Sequence, residues 1–228
     1  PYLVSGYIPG IADAFFETIS GFTTTGATIL TDIESLPKAL LFWRSMTHWL
    51  GGMGIIVLTV AILPLLGVGG MQLFIAEAPG VTPDKLHPRI KETAKRLWLI
   101  YFALTAIETA LLQFAGMSFF DAINHAMATM ATGGFSTKNA SVAYWAAPAI
   151  HYIIIVFMFL AGVNFTLLFF GFTGKFKQLF RNEELRVYAI NTLAIGLFVS
   201  FGLWATMSID FEQAFRNGFF QVISIITT

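Results

Sequence analysis

The sequence predicts an all-α integral membrane protein built from a repeated unit, and three observations predict it. Hydrophobic residues make up 56% of the 228 and charged ones 11%, against roughly 25% charged in soluble domains. Four segments are apolar for long enough to cross a bilayer, which takes about 20 residues. Among them one short pattern recurs. Residues 13–26 read DAFFETISGFTTTG, residues 121–134 read DAINHAMATMATGG, and residues 217–228 read NGFFQVISIITT. The shifts are 108 positions (13 to 121) and 96 positions (121 to 217).

Composition excludes several classes. A mean hydropathy of +0.73 points to lipid as the surrounding partner. With no cysteine there is neither a disulfide framework nor a thiolate metal site. A formal charge of zero gives no footprint for nucleic acid, and none is expected. Residues 1–10 lack the basic-then-apolar order of a signal peptide, so the chain reads as already in progress.

The elements follow in order. Residues 12–22 are apolar but too short to cross; such a run is a buried or a re-entrant helix. Residues 40–66 form the first span. The stretch that follows carries Pro79, Pro83 and Pro88 and several charges, and reads as a connector. Residues 97–117 form the second span and 119–130 the second short helix. Residues 147–172 form the third span, 185–207 the fourth, and 211–226 the third short helix. Recurrence of each short run beside a span favours the re-entrant reading.

Charge sets the orientation. Lys85, Arg89, Lys91, Lys95 and Arg96 lie between the first two spans, and Lys175, Lys177, Arg181 and Arg186 between the last two. Those nine of the thirteen basic residues fall on one side, which the positive-inside rule makes cytoplasmic. The short helices then dip in from outside. Asp13, Asp121, Asp210 and Glu212 lie at their outer ends, where they cap helix N-termini or make the mouth negative; the two roles are compatible.

The unit is thus span, pore helix, filter loop, span, as in potassium channels. Residues 1–66 are read as a first repeat without its leading span, 67–96 as a cytoplasmic connector, and 97–172 as a complete second repeat. Residues 173–184 are a cytoplasmic loop. Residues 185–228 are a third repeat, cut within its filter. Such a chain alone is not expected to conduct.

The loops suit a dehydrated cation. Converging backbone carbonyls can replace its water shell. Gly26 and Gly134 supply the backbone freedom this needs. Thr23, Thr24, Thr25 and Thr132 bring hydroxyls for local hydrogen bonds. Each short helix turns its negative end towards the ion. No loop contains a carboxylate, which favours a monovalent ion. The expected ion contacts are the carbonyls of Thr24, Thr25, Gly26, Thr132, Gly133 and Gly134, with Thr227 and Thr228 beginning a third set. A monovalent cation is the expected ion, with no organic cofactor and no covalent chemistry.

Residues 19–28, ISGFTTTGAT, and 43–54, WRSMTHWLGGMG, resemble the Trk/Ktr/HKT superfamily of potassium transport proteins. Residues 72–80, QLFIAEAPG, and 130–137, MATGGFST, are similar to its bacterial TrkH branch. The resemblance runs from end to end. It implies four such units around one pore in the bacterial inner membrane, a homodimer, and a cytosolic nucleotide-binding regulatory subunit, TrkA-like. It implies that the filter Gly favours potassium; Ser at the first-loop position, here Gly26, accompanies sodium permeation in some plant relatives. The family's gating loop and gating Arg fall outside this sequence.

Other polar residues carry two readings each. Glu17, His125 and Gln221 share one repeat position and either support the filter or are satisfied locally. Glu108, near the middle of a span, lines a cation route or bonds to a neighbouring helix. Arg44 and His48, one turn apart, are placed to pair with outer acids such as Asp32 or Glu34. Asn164 lines the pore below the filter or bonds across helices. The glycines at 51, 52, 54, 67, 69, 70 and 162 lack nucleotide-loop spacing and suit close helix packing. Two alternatives to a potassium-conducting subunit stay open: a sodium- or proton-coupled transporter with internal repeats, and a non-conducting scaffold.

Overall fold

A computed structural model describes residues 1–66 and 90–227, with side chains omitted at 55–66, 90–94, 166 and 176. Among the described residues the fold is all-helical, without strands. The expected connector 67–96 lies mostly outside them, as do the 72–80 motif and Thr228.

The chain opens with a single turn, α1 (Tyr2–Ser5), and then α2 (Ile11–Phe22). After an outer segment comes α3 (Lys38–Leu66). Next is α4 (Ile90–Phe114), ended by Gly116 at φ 109°. Ser118 caps α5 (Phe119–Met130), accepting from the Asp121 amide at 3.1 Å. A 3-10 turn (Ser141–Tyr144) leads into α6 (Pro148–Ala161), with proline in its first turn. Then follow α7 (Phe165–Phe172) and α8 (Phe176–Arg181). Asn182 caps α9 (Glu183–Thr206), and α10 (Phe211–Thr227) closes the described chain.

Two expectations need correction. The span at 147–172 is not continuous: α6 ends at Ala161 and α7 begins at Phe165. Gly162 and Asn164, both poor helix formers, sit at the break. The Asn164 carbonyl accepts from the amides of Leu167 and Leu168 and so starts the new helix. The segment 173–184, expected as a loop, contains α8.

Burial in α9 runs opposite to that of a water-soluble helix. Its buried residues are Thr192, Gly196 and Ser200, one turn apart. Val187, Ile190, Leu193, Phe198 and Phe201 are exposed. Small residues face the protein because they let α10 come close: a Cβ on Gly196 would meet the Phe219 ring, and one on Gly218 would meet Ser200. Large apolar groups outside fit a helix whose solvent is lipid. Among the described residues, two helices are long and apolar enough to cross a bilayer, at Lys95–Phe114 and Glu183–Thr206.

The core gathers around α4. Met53 of α3, Ile100, Tyr101 and Leu104 of α4, Met130 of α5 and Phe157 of α6 form one cluster. Gly51 and Gly52 let α3 run hard against the inner ends of both α2 and α5. A Cβ on Gly51 would strike the Phe22 carbonyl, and one on Gly52 would crowd Ala131. The two loops that leave α2 and α5 are thereby held side by side.

Candidate functional site

The two loops are built by one hydrogen-bond pattern. At the end of α2, the Thr24 amide donates to Gly21 at 3.1 Å and the Thr25 amide to Ser20 at 3.0 Å. At the end of α5, the Thr132 amide donates to Thr129 at 2.9 Å and the Gly133 amide to Ala128 at 2.9 Å. This pair of bonds is a Schellman motif, whose left-handed position is normally glycine. Glycine fills it after α4 (Gly116) and after α7 (Gly174). The two loops instead put Thr24 there at φ 56° and Thr132 at φ 54°. A β-branched residue held so costs about 1–3 kcal/mol, and such outliers cluster at functional sites. Two residues on, Gly26 at φ 72° and Gly134 at φ 83° repeat the left-handed step.

A second layer lies behind each loop. Glu17 is fully buried; it accepts from Thr28 Oγ1 at 2.9 and 3.0 Å and from the Ile29 amide at 3.2 Å. His125 occupies the equivalent place, with Nε2 3.0 Å from Ser136 Oγ and Nδ1 2.8 Å from the Asp121 carbonyl. Thr28 and Ser136 in turn accept from the amides of Leu30 and Lys138, at 3.1 and 3.0 Å. Asp121 adds a tie to its own loop, accepting from Thr137 Oγ1 at 2.6 Å. Glu17 and His125 therefore stand behind their loops and grip the segment leaving each one. Gln221, at the third equivalent position, is exposed.

Arg44 does not pair with Asp32 or Glu34. Its Nε donates to Glu17 at 2.9 Å, and its Nη1 to the Ser136 carbonyl at 3.1 Å. The reason is depth: Arg44 is buried one face inward on α3, while the two acids lie on the outer segment. There Asp32 and Glu34 bind the segment after the second loop, through Asn139 Nδ2 at 3.1 Å and Lys138 Nζ at 3.2 Å. The hydrogen bond to Glu34 holds the Lys138 ammonium above the usual lysine range. His48 stacks on Phe135, with ring centres 3.9 Å apart.

These layers bring most of the expected contact residues together. A Cβ on Gly26 would collide with the Gly133 carbonyl oxygen, so the loops touch there. Thr132, Gly133, Gly134 and Thr227 line one cavity of about 140 Å³, with His125 and Ser224. Helices α5 and α10 thus end at one space, and their partially negative termini suit a cation there. Thr23 Oγ1 lies 2.8 Å from Thr25 Oγ1 and donates to the Ile19 carbonyl at 2.7 Å. Asn164 is half-buried at the helix break, and Glu108 is fully buried on α4. Sequence reasoning missed the partner of Arg44 and the tie through Asp121. The second had a signal, since Ser118-x-x-Asp121 before an apolar run is a helix-start pattern.

Comparison with known proteins extends these findings. Residues 3–188 match the family model TrkH, described as a cation transport protein. The chain is 51% identical over 221 residues to the Trk system potassium uptake protein TrkH of Salmonella typhimurium. It is 49% identical over 227 residues to that of Escherichia coli strain K12. Each alignment takes in 96% of this chain and 46% of the relative. The crystal structure of the potassium transporter TrkH from Vibrio parahaemolyticus is similar at a TM-score of 0.80 and 41% identity, covering 95% of this chain and 44% of that one. The chain spans about half the length of the curated relatives it matches.

Proposed function

The chain belongs to the TrkH family of cation transport proteins, and from that premise we propose that it forms part of the pore of a potassium uptake protein. Potassium is the substrate. It passes without its water shell between the carbonyls of Thr24, Thr25, Gly26, Thr132, Gly133 and Gly134, and Thr227 and Thr228 begin a third contribution. The repeat is span, pore helix, filter loop, span, in a multi-pass protein of the bacterial inner membrane. A homodimer and a TrkA-like regulator on the cytoplasmic side complete the assembly.

The observation that carries this reading is the doubled loop. Two segments 108 positions apart share the left-handed Thr and Gly steps, the same amide bonds to the preceding helix and the same hydroxyl-centred bonds behind. Packing alone gives no reason to repeat a strained conformation. A set of carbonyls presented to one ion does, because coordination depends on the number and spacing of the oxygens. The relatives named as potassium uptake proteins support the choice of ion.

The test is rubidium flux into proteoliposomes holding the full-length protein. Uptake should be blocked by potassium and weakly by sodium, and Gly26→Ser should let sodium compete. Absence of rubidium flux, or flux that needs a second solute, would replace the pore reading by a scaffold or a coupled transporter.

A further inference from the structure

We infer that Arg44 is a positioning residue that fixes the spacing between the two loops and so sets which monovalent cation they accept; this rests on the pore reading above. Arg44 belongs to neither loop. It projects from α3 with its side chain 1% exposed, and it holds both. Towards the first loop, Nε donates to Glu17, whose carboxylate also takes Thr28 Oγ1 and the Ile29 amide. Towards the second, Nη1 donates to the Ser136 carbonyl. The guanidinium carbon lies 4.1 Å from the centre of the Phe135 ring, and the His48 ring 3.9 Å from it. Two groups that close to one ring centre cannot share a face. Phe135 is therefore clasped between Arg44 and His48, two side chains one turn apart on α3.

The chemistry of the group matters as much as its contacts. A guanidinium is planar and presents its donors in a fixed fork. The exits of both loops are thus tied to one rigid plate. Between them, Gly26 already touches the Gly133 carbonyl, so a change in spacing moves a candidate ion ligand directly. Neutralising Glu17 does not require this arrangement. Any cation would do that, whereas the bond to Ser136 and the stack on Phe135 serve only the second loop. The equivalent residue in that loop, His125, holds Ser136 Oγ from behind its own pore helix.

The discriminating variants are Arg44→Lys, which keeps the charge and loses the fork, and the double change Glu17→Gln with Arg44→Met, which removes both charges and keeps the bulk. Rubidium and sodium uptake are measured together, in full-length protein reconstituted into vesicles. If Arg44 only compensates Glu17, both variants keep the parent preference, and that result overturns the inference. If Arg44 spaces the loops, both still pass rubidium but admit sodium about tenfold more readily, the factor of ~1.4 kcal/mol between two ions. Should neither variant reach the membrane, Phe135→Leu decides in the same assay. It leaves the ion pair intact and removes the ring on which the guanidinium rests, and an unchanged preference there overturns the inference. Lack of rubidium uptake by the parent protein would instead sink the pore reading itself.

Discussion

Thr24 and Thr132 hold the same left-handed backbone conformation, φ 56° and 54°, at the ends of two helices 108 positions apart. Elsewhere in the chain the same helix ending is made by glycine, at Gly116 and Gly174. Glycine would have been the easier residue in the loops too. Keeping threonine there gives a loop with fewer alternative conformations, because a β-branched side chain narrows the backbone choices that glycine leaves open.

This predicts that stability and selectivity separate at these positions. Thr132→Gly removes about 1–2 kcal/mol of left-handed strain. It returns about 0.5–1 kcal/mol to the flexibility of the unfolded chain. The melting temperature of the full-length protein in detergent should stay level or rise slightly. Preference for rubidium over sodium should fall, because the loop is less restrained. Thermal unfolding and dual-ion uptake on one preparation check both halves; a lower melting temperature would contradict the strain argument.

Gly26 and Gly134 share a repeat position but not a neighbourhood. Among the described residues nothing lies within 4 Å of a Cβ built on Gly134, so Gly134→Ala meets only the left-handed strain, about 1–2 kcal/mol. On Gly26 the added carbon would collide with the Gly133 carbonyl oxygen. Overpacking of that kind adds about 1–3 kcal/mol, and it turns a candidate ion ligand aside. Gly26→Ala should therefore reduce rubidium uptake much more than Gly134→Ala. Equal losses would mean that the two loops do not meet as described.

How much of this was legible in the sequence follows from how local each feature is. The short helix at 119–130 was readable to the residue, because Ser118 caps it and the Met130-Ala131-Thr132-Gly133 run ends it. The equivalence of Glu17 and His125 was also readable, since it needs only the repeat. What they bind was not. Glu17 reaches Thr28 and Ile29, eleven and twelve residues away, and then Arg44 on the next helix. The partner of Arg44 was misjudged for the same reason. Acids at 32 and 34 are nearer in sequence, but the chain carries them outward to Lys138 and Asn139. The break at 162–164 was hidden by apolar residues on either side. Hydropathy does not register that Gly162 leaves room for the Tyr188 hydroxyl and the Thr227 methyl.

Removing Glu17 should be costly for a reason unrelated to its size. Glu17→Leu strips the Arg44 guanidinium of its carboxylate at a depth where Arg44 is 1% exposed. Breaking a buried pair in this way costs about 3–5 kcal/mol. The variant should show much lower yield and melting temperature. Adding Arg44→Met to it should recover most of the stability, because no unpaired charge then remains. Failure of that second change to restore folding would show that Thr28 and Ile29, rather than Arg44, are the partners that matter.

Glu108 predicts the opposite behaviour for a residue equally buried. It lies on α4 and is 0% exposed. Thr129 of α5 offers it a hydroxyl, and among the described residues no cationic side chain pairs with it. Holding an ionisable group in such a place costs about 2.5–3.5 kcal/mol on insertion scales. A single hydroxyl does not offset a full charge there. Glu108→Gln keeps the shape and removes the ionisable group, so melting temperature and rubidium uptake should match the parent or exceed it. The contrast with Glu17 is the measurement: two buried glutamates, each replaced by glutamine, one harmful and one harmless. If Glu108→Gln proves as damaging as Glu17→Gln, Glu108 has a charged partner or an ion of its own, and the cation-route reading of that residue returns.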